Sequence, residues 1–175
     1  MKIGIYMRLI NGRGQLGTEL TKWIKNSPNV DIYHTWNFLD KSKDTQLSEL
    51  KKFKSYLNSV KSSRKVIFIS TSVEIKSYYL KCKRLAENLL KESRNENLII
   101  RLPSLIGKGV FTKLFKNEAD PYGTIEFTTT ELASRYIVNN INVTGLLTMS
   151  GWTCKAEAVY EIMQFCNKSI FKQKE

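Results

Sequence analysis

Apolar residues recur along this chain at two spacings, and the two alternate from end to end. Residues 2–7, KIGIYM, are a short apolar run of the strand kind; after the polar NGRGQLG, residues Leu16, Leu20, Trp23 and Ile24 fall on one face of a helix. Residues 29–36, NVDIYHTW, return to a period of two, with Val30, Ile32 and His34 on one side. From 43 to 62, Leu47, Leu50, Phe53, Leu57 and Val60 stand three or four apart, the stripe of an amphipathic helix whose outer face is basic. KVIFIS at 65–70 is apolar almost throughout, as a strand covered on both faces must be. The pattern then predicts a helix over about 78–92, a buried strand over 97–107 ending in Pro and Gly, and a short strand over 124–130. A helix over 131–141, a strand over 144–151 and a helix over 155–166 follow, with no internal repeat or low-complexity block.

Strands alternating with helices, the inner strands continuously apolar, predict an α/β fold: a reduced, Rossmann-like doubly wound parallel sheet with little or no separate substrate domain. At 175 residues the chain reads as one such domain over 1–175. In sheets of this kind ligands bind outside the carboxyl ends of the strands, where NGRGQLG, STS and LPSLIG all fall.

Composition narrows the chemistry. No apolar run approaches the roughly 20 residues that cross a bilayer, and the first residues lack the apolar core of a signal peptide, so a cytoplasmic protein without membrane contact is expected. Cys82, Cys154 and Cys166 form no CxxC pair and His34 is the only histidine, so neither a metal site nor a histidine-based triad is expected. Cys82, between Lys81 and Lys83, is expected to have a lowered thiol pKa. The net charge of +12 attracts polyanions, among them nucleic acids and the pyrophosphate of a dinucleotide. KKFKSYLNSVKSSRK at 51–65 interleaves basic and aromatic residues as single-strand binders do, but Phe53, Leu57 and Val60 belong to the helical stripe. The segment therefore reads as a solvated basic face, with nucleic-acid binding the lesser alternative. Trp23 and Trp36 read as core or edge residues, and Trp152 as a residue near the strand ends that can contact a ligand.

Gly12, Gly14 and Gly17 match G-x-G-x-x-G between an expected strand and an expected helix, the context in which this motif cradles the pyrophosphate of NADP or NAD at a helix N-terminus. Asn11 and Arg13 share the loop, and Arg8–Ile10 reads as an insertion between the strand and Asn11. At the end of the second strand, where an Asp or Glu would hold the adenine ribose, stand His34, Thr35 and Trp36; the nearby Arg8 and Arg13 can instead hold a 2′-phosphate.

Tyr79 and Lys83 are four apart and share one helix face. A phenol ionises near pH 10, and a neighbouring ammonium favours the phenolate, so such a phenol can exchange a proton with a carbonyl oxygen as hydride moves at its carbon. A hydroxyl at the preceding strand end, Thr71 or Ser72, would orient the same oxygen.

The segments GRGQLGTEL, VIFISTS, YYLKCKRLAENLL, LIIRLPSLIGKG and TTTELASRYIV occur in an order that resembles the extended short-chain dehydrogenases/reductases, most of all their nucleotide-sugar epimerases, dehydratases and dTDP-4-dehydrorhamnose reductase-like members. The resemblance spans nearly the whole chain. It implies dinucleotide contacts at Gly14 and Gly17, with the first family glycine falling on Asn11 or Gly12. It further implies catalytic roles for Tyr79, Lys83 and either Thr71 or Ser72, and a nicotinamide lining that includes Pro103 and Ser104. A nucleotide-sugar or similar small-molecule substrate and a homodimer through the helices at 43–62 and 78–92 are likewise implied by resemblance. The chain is shorter than such enzymes, with no room for the usual third strand and only VEIKSY between Ser72 and Tyr79. A reduced enzyme and a catalytically silent nucleotide-binding or regulatory domain both fit these departures.

Overall fold

The structure is a computed structural model that describes residues 8–10, 14–24, 29–93, 96–106, 123–162 and 164. In chain order its elements are β1 (Arg8–Ile10), α1 (Gln15–Trp23), β2 (Val30–Tyr33), α2 (Lys43–Ser59), β3 (Lys65–Thr71), α3 (Tyr78–Ser93), β4 (Asn97–Leu102), β5 (Ser104–Leu105), β6 (Thr124–Thr128), α4 (Thr130–Asn139), β7 (Gly145–Thr148) and β8 (Trp152–Lys155). Residues 156–162 are helical.

β3 lies at the middle of the main sheet because its side chains can be buried on both faces: all seven of its residues are buried. Ile67 and Ile69 point to one layer and Val66 and Phe68 to the other, each large apolar side chain contributing roughly 1.5–3 kcal/mol by leaving water. The first layer is closed by Leu16 and Leu20 of α1 with Ala133 and Ile137 of α4. The second is closed by Phe53 and Leu57 of α2 with Cys82, Ala86 and Leu90 of α3. Helices on both faces of a parallel sheet give the Rossmann-like α/β architecture the pattern predicts.

The five strands run in the order β1-β2-β3-β4-β7, every neighbouring pair parallel. Each successive strand steps in the same direction, yet α1 and α4 cover one face while α2 and α3 cover the other. The crossovers through α1 and α4 are therefore opposite in hand to those through α2 and α3, although parallel crossovers are almost always right-handed. For the α1 connection the doubly wound order 3-2-1-4-5-6 accounts for this, because there the first strand is flanked by the fourth; the α4 connection passes through the second sheet instead. Here β2 occupies that fourth place and the second and third strands of the pattern have no counterpart between α1 and β2.

Arg8–Ile10 is not an insertion. It is β1 itself, with Leu9 opposite Ile32 and Ile10 opposite Tyr33, since these two apolar residues have a half-buried edge to fill. The apolar run at 2–7 lies outside the described residues. The strand expected over 97–107 is broken at Pro103, which has no N–H with which to continue the ladder. Beyond it β5 enters a second sheet of order β5-β6-β8, which the sequence pattern did not show. Because β5 follows β4 and β8 follows β7 within a few residues, this small sheet stands at the carboxyl ends of the main strands. Gly151 makes the close join possible: a Cβ there would lie 2.3 Å from the Phe127 carbonyl oxygen. The Gly151 amide donates to Glu126 Oε1 at 2.7 Å.

At the opposite, amino end of the sheet, Asp31 is completely buried. Arg8 Nη2 and Arg64 Nη2 each donate to its carboxylate at 2.6 Å and the Tyr56 hydroxyl at 2.8 Å. Burial alone would raise this carboxyl's pKa; the hydrogen bonds from Arg8, Arg64 and Tyr56 outweigh it and hold the group below the usual carboxylate range. One buried carboxylate thus joins β1, α2 and the turn into β3.

Candidate active site

α3 carries the pair singled out by its spacing. Ser77 starts this helix, its hydroxyl accepting from the Leu80 amide at 3.2 Å. Lys83 is 3% exposed, and its Nζ donates to the Ile69 carbonyl of β3 at 2.8 Å. The ammonium lies 4.5 Å from the Trp36 ring centre, 4.7 Å from that of Phe68 and 5.9 Å from that of Tyr79. Attraction between a cation and ring faces offsets part of the desolvation, but burial still brings the Lys83 pKa down to about 7, against the pull of Glu87 and Glu49. Tyr79 is half-buried against the α2/α3 layer. Burial pushes its phenol up to about 12, with Arg84 opposing. The structure therefore brings Tyr79 and Lys83 together as expected but does not tune the phenol toward its ionised form, because loss of water at the ring outweighs the neighbouring charge.

The end of β3 is fixed to α3 by a buried carboxylate. Glu87 accepts from Ser70 Oγ and Arg84 Nη1 at 2.6 Å and from Arg101 Nη2 at 2.7 Å. Burial would raise the Glu87 pKa; Arg101, Ser70 and Arg84 together hold it low. Arg84 Nη1 also donates to the Thr71 carbonyl at 3.0 Å. Of the two candidate hydroxyls, Thr71 Oγ1 already accepts from the Val73 amide at 3.1 Å. Ser72 Oγ is buried and has no partner among the described residues.

Gly14 is the N-cap of α1, in an extended conformation with φ −82°, and as a glycine it brings no side chain to cap the helix. A Cβ on Gly14 would meet nothing within 4 Å, so packing against the described residues does not demand glycine here. Gly17 is buried within α1. Asn11, Gly12 and Arg13 lie outside the described residues. The α1 start is held near the β5 end by Gln15 Nε2, which donates to the Ile106 carbonyl at 2.6 Å. Pro103 is buried at the turn between the two sheets, and Ser104 opens β5 opposite Phe127.

Three residues at the site were not foreseen. Trp36 and Phe68 enclose Lys83, and Gln46, fully buried, accepts the Trp36 indole N–H at 2.7 Å. The sequence shows Trp36 as a core residue, which it is, but its partner lies 47 positions away and only the fold supplies the meeting. His34 sits beyond β2, with its Nε2 buried and unpartnered among the described residues. Burial lowers its pKa, and Lys83 lowers it further. Of the residues just beyond β2, Thr35 Oγ1 donates to the Ile10 carbonyl of the edge strand β1 at 2.7 Å, while Trp36 lies against Lys83.

Two other expectations are settled here. Cys82 is 1% exposed and burial raises its thiol pKa, so the two flanking lysines do not activate it. On α2, Lys51, Lys52 and Lys54 are exposed while Phe53 and Leu57 are buried and Tyr56 bonds Asp31. The basic face is solvated over a buried stripe from Phe53 to Val60, as the spacing predicts, but at the start of α2 the stripe departs from it: Leu47 is exposed while Gln46 and Glu49 are buried. Trp152 is half exposed and stacks at a tilt on Phe127, with ring centres 5.9 Å apart. Among the described residues no group of acidic, histidine or cysteine side chains could hold a metal ion, and no helix is long and apolar enough to cross a membrane.

No protein-family model matches the sequence, and no curated protein matches it. Solved structures do. A dTDP-4-dehydrorhamnose reductase from Clostridium acetobutylicum is 18% identical with a TM-score of 0.72, the match covering 91% of this chain and 81% of that one. The corresponding reductase from Bacillus anthracis, in complex with NADP, is 14% identical with a TM-score of 0.74, over 94% and 82% of the two chains. UDP-N-acetylglucosamine 4-epimerase from Bacillus cereus is 13% identical with a TM-score of 0.65, over 89% and 81%. At these identities the likeness establishes the shared Rossmann-like fold.

Proposed function

We propose that the chain binds NADP or NAD and acts as an oxidoreductase or epimerase of the short-chain dehydrogenase/reductase kind on a nucleotide-linked sugar or a similar carbonyl or hydroxyl substrate. The observation that carries this reading is the Lys83 ammonium 5.9 Å from the Tyr79 ring centre and bonded to the Ile69 carbonyl near the end of β3, the strand that Ser72 follows. The residues fit a dinucleotide in two respects: the N-cap of α1 is a glycine, so backbone without a side chain stands at the helix start, and Ser72 Oγ is a buried hydroxyl without a partner among the described residues. The solved reductase from Bacillus anthracis, of the same fold, holds NADP.

When bound, the dinucleotide supplies or accepts hydride. The chain's own residues do the rest. The start of α1 holds the pyrophosphate, with Asn11, Gly12, Arg13 and Gly14 leading into the helix and Gly17 inside it. Ser72, freer than Thr71 to accept a new bond, orients the reacting oxygen. Tyr79 gives a proton to that oxygen in reduction and takes one in oxidation; a phenol near 12 keeps its proton but is a weak acid, so giving it up requires help from a charged Lys83. Pro103 and Ser104 line the nicotinamide side. A small-molecule substrate in the cytoplasm and a homodimer through α2 and α3 complete the proposal.

Titration with NADPH and NADH, read by nucleotide fluorescence, tests the first step. Failure of both to bind at millimolar concentration ends the reading. The enclosure of Lys83 by Trp36 and Phe68 favours a second reading, a catalytically silent nucleotide-binding or regulatory domain. Tyr79→Phe separates the two, since an enzyme loses turnover with cofactor affinity intact while a pure binder changes in neither.

A further inference from the structure

Lys83 must touch a ligand if the proposed function holds, and in this structure it cannot. Trp36 stands over it, closer to the ammonium than the Tyr79 ring is. The indole is itself held: Trp36 Nε1 donates to Gln46 Oε1 at 2.7 Å, and Gln46 Nε2 donates back to the carbonyls of Asn37 and Asp40 in the loop that carries Trp36. A single buried amide on α2 thus bonds the indole and two carbonyls of the loop between β2 and α2.

This closed arrangement carries costs. His34 Nε2 and Ser72 Oγ, just beyond the carboxyl ends of β2 and β3, are buried without partners among the described residues, and an unmade hydrogen bond of that kind leaves the desolvation of the group unrepaid. The same loop exposes Phe38 and Leu39, at 40% and 64%. A conformation that leaves buried polar atoms unpaired and apolar side chains in water competes closely with one in which the loop lifts and a ligand supplies the missing partners.

We infer that Trp36 is an internal occupant of the nucleotide site, latched by Gln46, and that a ligand with a planar ring and sugar hydroxyls binds by displacing it. The inference rests on the reading proposed above. On displacement the Lys83 ammonium exchanges ring faces for a ribose hydroxyl, while the indole and residues 37–40 move out together. Binding is then weakened by the fraction of molecules that are closed, and opening the latch removes that penalty.

Two measurements test this. The chain contains three tryptophans, so labelling with 5-fluorotryptophan gives three fluorine resonances, and Trp36→Phe identifies that of residue 36. Addition of NADP is expected to move the Trp36 resonance toward the position of a solvated indole. Calorimetric saturation with NADP while that resonance stays in place overturns the inference and leaves the proposed function standing. Gln46→Ala and Trp36→Ala, each checked for folding by circular dichroism, are expected to bind NADPH at least tenfold more tightly than the unaltered chain. Equal or weaker binding by folded Gln46→Ala also overturns it. If the unaltered chain and both variants all fail to bind NADPH and NADP, the proposed function falls and this inference with it.

Discussion

Lys83 shows how far one residue's surroundings can depart from what its neighbours in sequence suggest. Four positions from Tyr79, it reads as a solvated cation able to acidify a phenol; in the fold it is buried among rings, and its pKa falls to about 7 while that of the phenol rises to about 12. If Tyr79 is the proton donor, Tyr79→Phe lowers kcat by about 10²–10⁴-fold with the NADPH dissociation constant unchanged, measured by steady-state turnover and fluorescence titration. Asp31 makes a prediction about stability instead. Removing the buried carboxylate that Arg8, Arg64 and Tyr56 share breaks these charge-assisted hydrogen bonds, so Asp31→Ala is expected to cost about 1.5–3 kcal/mol in urea unfolding, with little change in any residual cofactor affinity. Spacing within one helix made the Tyr79–Lys83 meeting legible; the partners of Asp31 and the rings around Lys83 were not, because they come from strands and helices that only packing brings together.

At the scale of elements, the decisive feature is the step from α1 straight to the strand beside β1. The alternation of strands and helices was plain in the pattern, and β2, β3, β4 and β7 were anticipated in kind, whereas β1 falls on Arg8–Ile10, which the pattern presented as an insertion. Order within the sheet was not, since a period of two says that a strand exists and not which strand it pairs with. With β2 in the fourth strand's place, the described sheet ends at β1 and offers no adjoining strand end to carry an adenine-side carboxylate. Discrimination between the two dinucleotides should then be small: the dissociation constants for NADPH and NADH are expected to lie within about tenfold, or 1.4 kcal/mol, of each other. A hundredfold preference in fluorescence titration would show that residues outside the described sheet read the 2′-phosphate. Pro103 is a further case, legible as a strand breaker but not as the junction to a second sheet, because the partners β6 and β8 follow it by some 20 and 50 residues.

Taken whole, the molecule couples its buried charges to folding in a definite sense. Asp31, Glu87 and His34 have lowered pKa values, so the unfolded chain binds more protons than the folded one in acid and stability is lost as pH falls below the ordinary values of these groups. Lys83, held near 7 when folded and near 10.5 when unfolded, works in the same direction over that interval: stability rises with pH. Tyr33 and Tyr79, both raised to about 12, reverse the trend above pH 10. Urea unfolding at pH 9 is therefore expected to give about 2 kcal/mol more stability than at pH 7, and Lys83→Met to flatten that difference. An unaltered slope in the variant would mean that another group titrates. The amino-acid sequence by itself determined the α/β class, the two-faced burial of β3 and the pairing of Tyr79 with Lys83, because each depends on periodicity within one element, where backbone geometry alone fixes which side chains share a face. Strand order, the enclosure of Lys83 by Trp36 and the attachment of the small sheet were decided only by tertiary structure. They depend on which surfaces exclude water together, and that is settled between elements far apart in the chain.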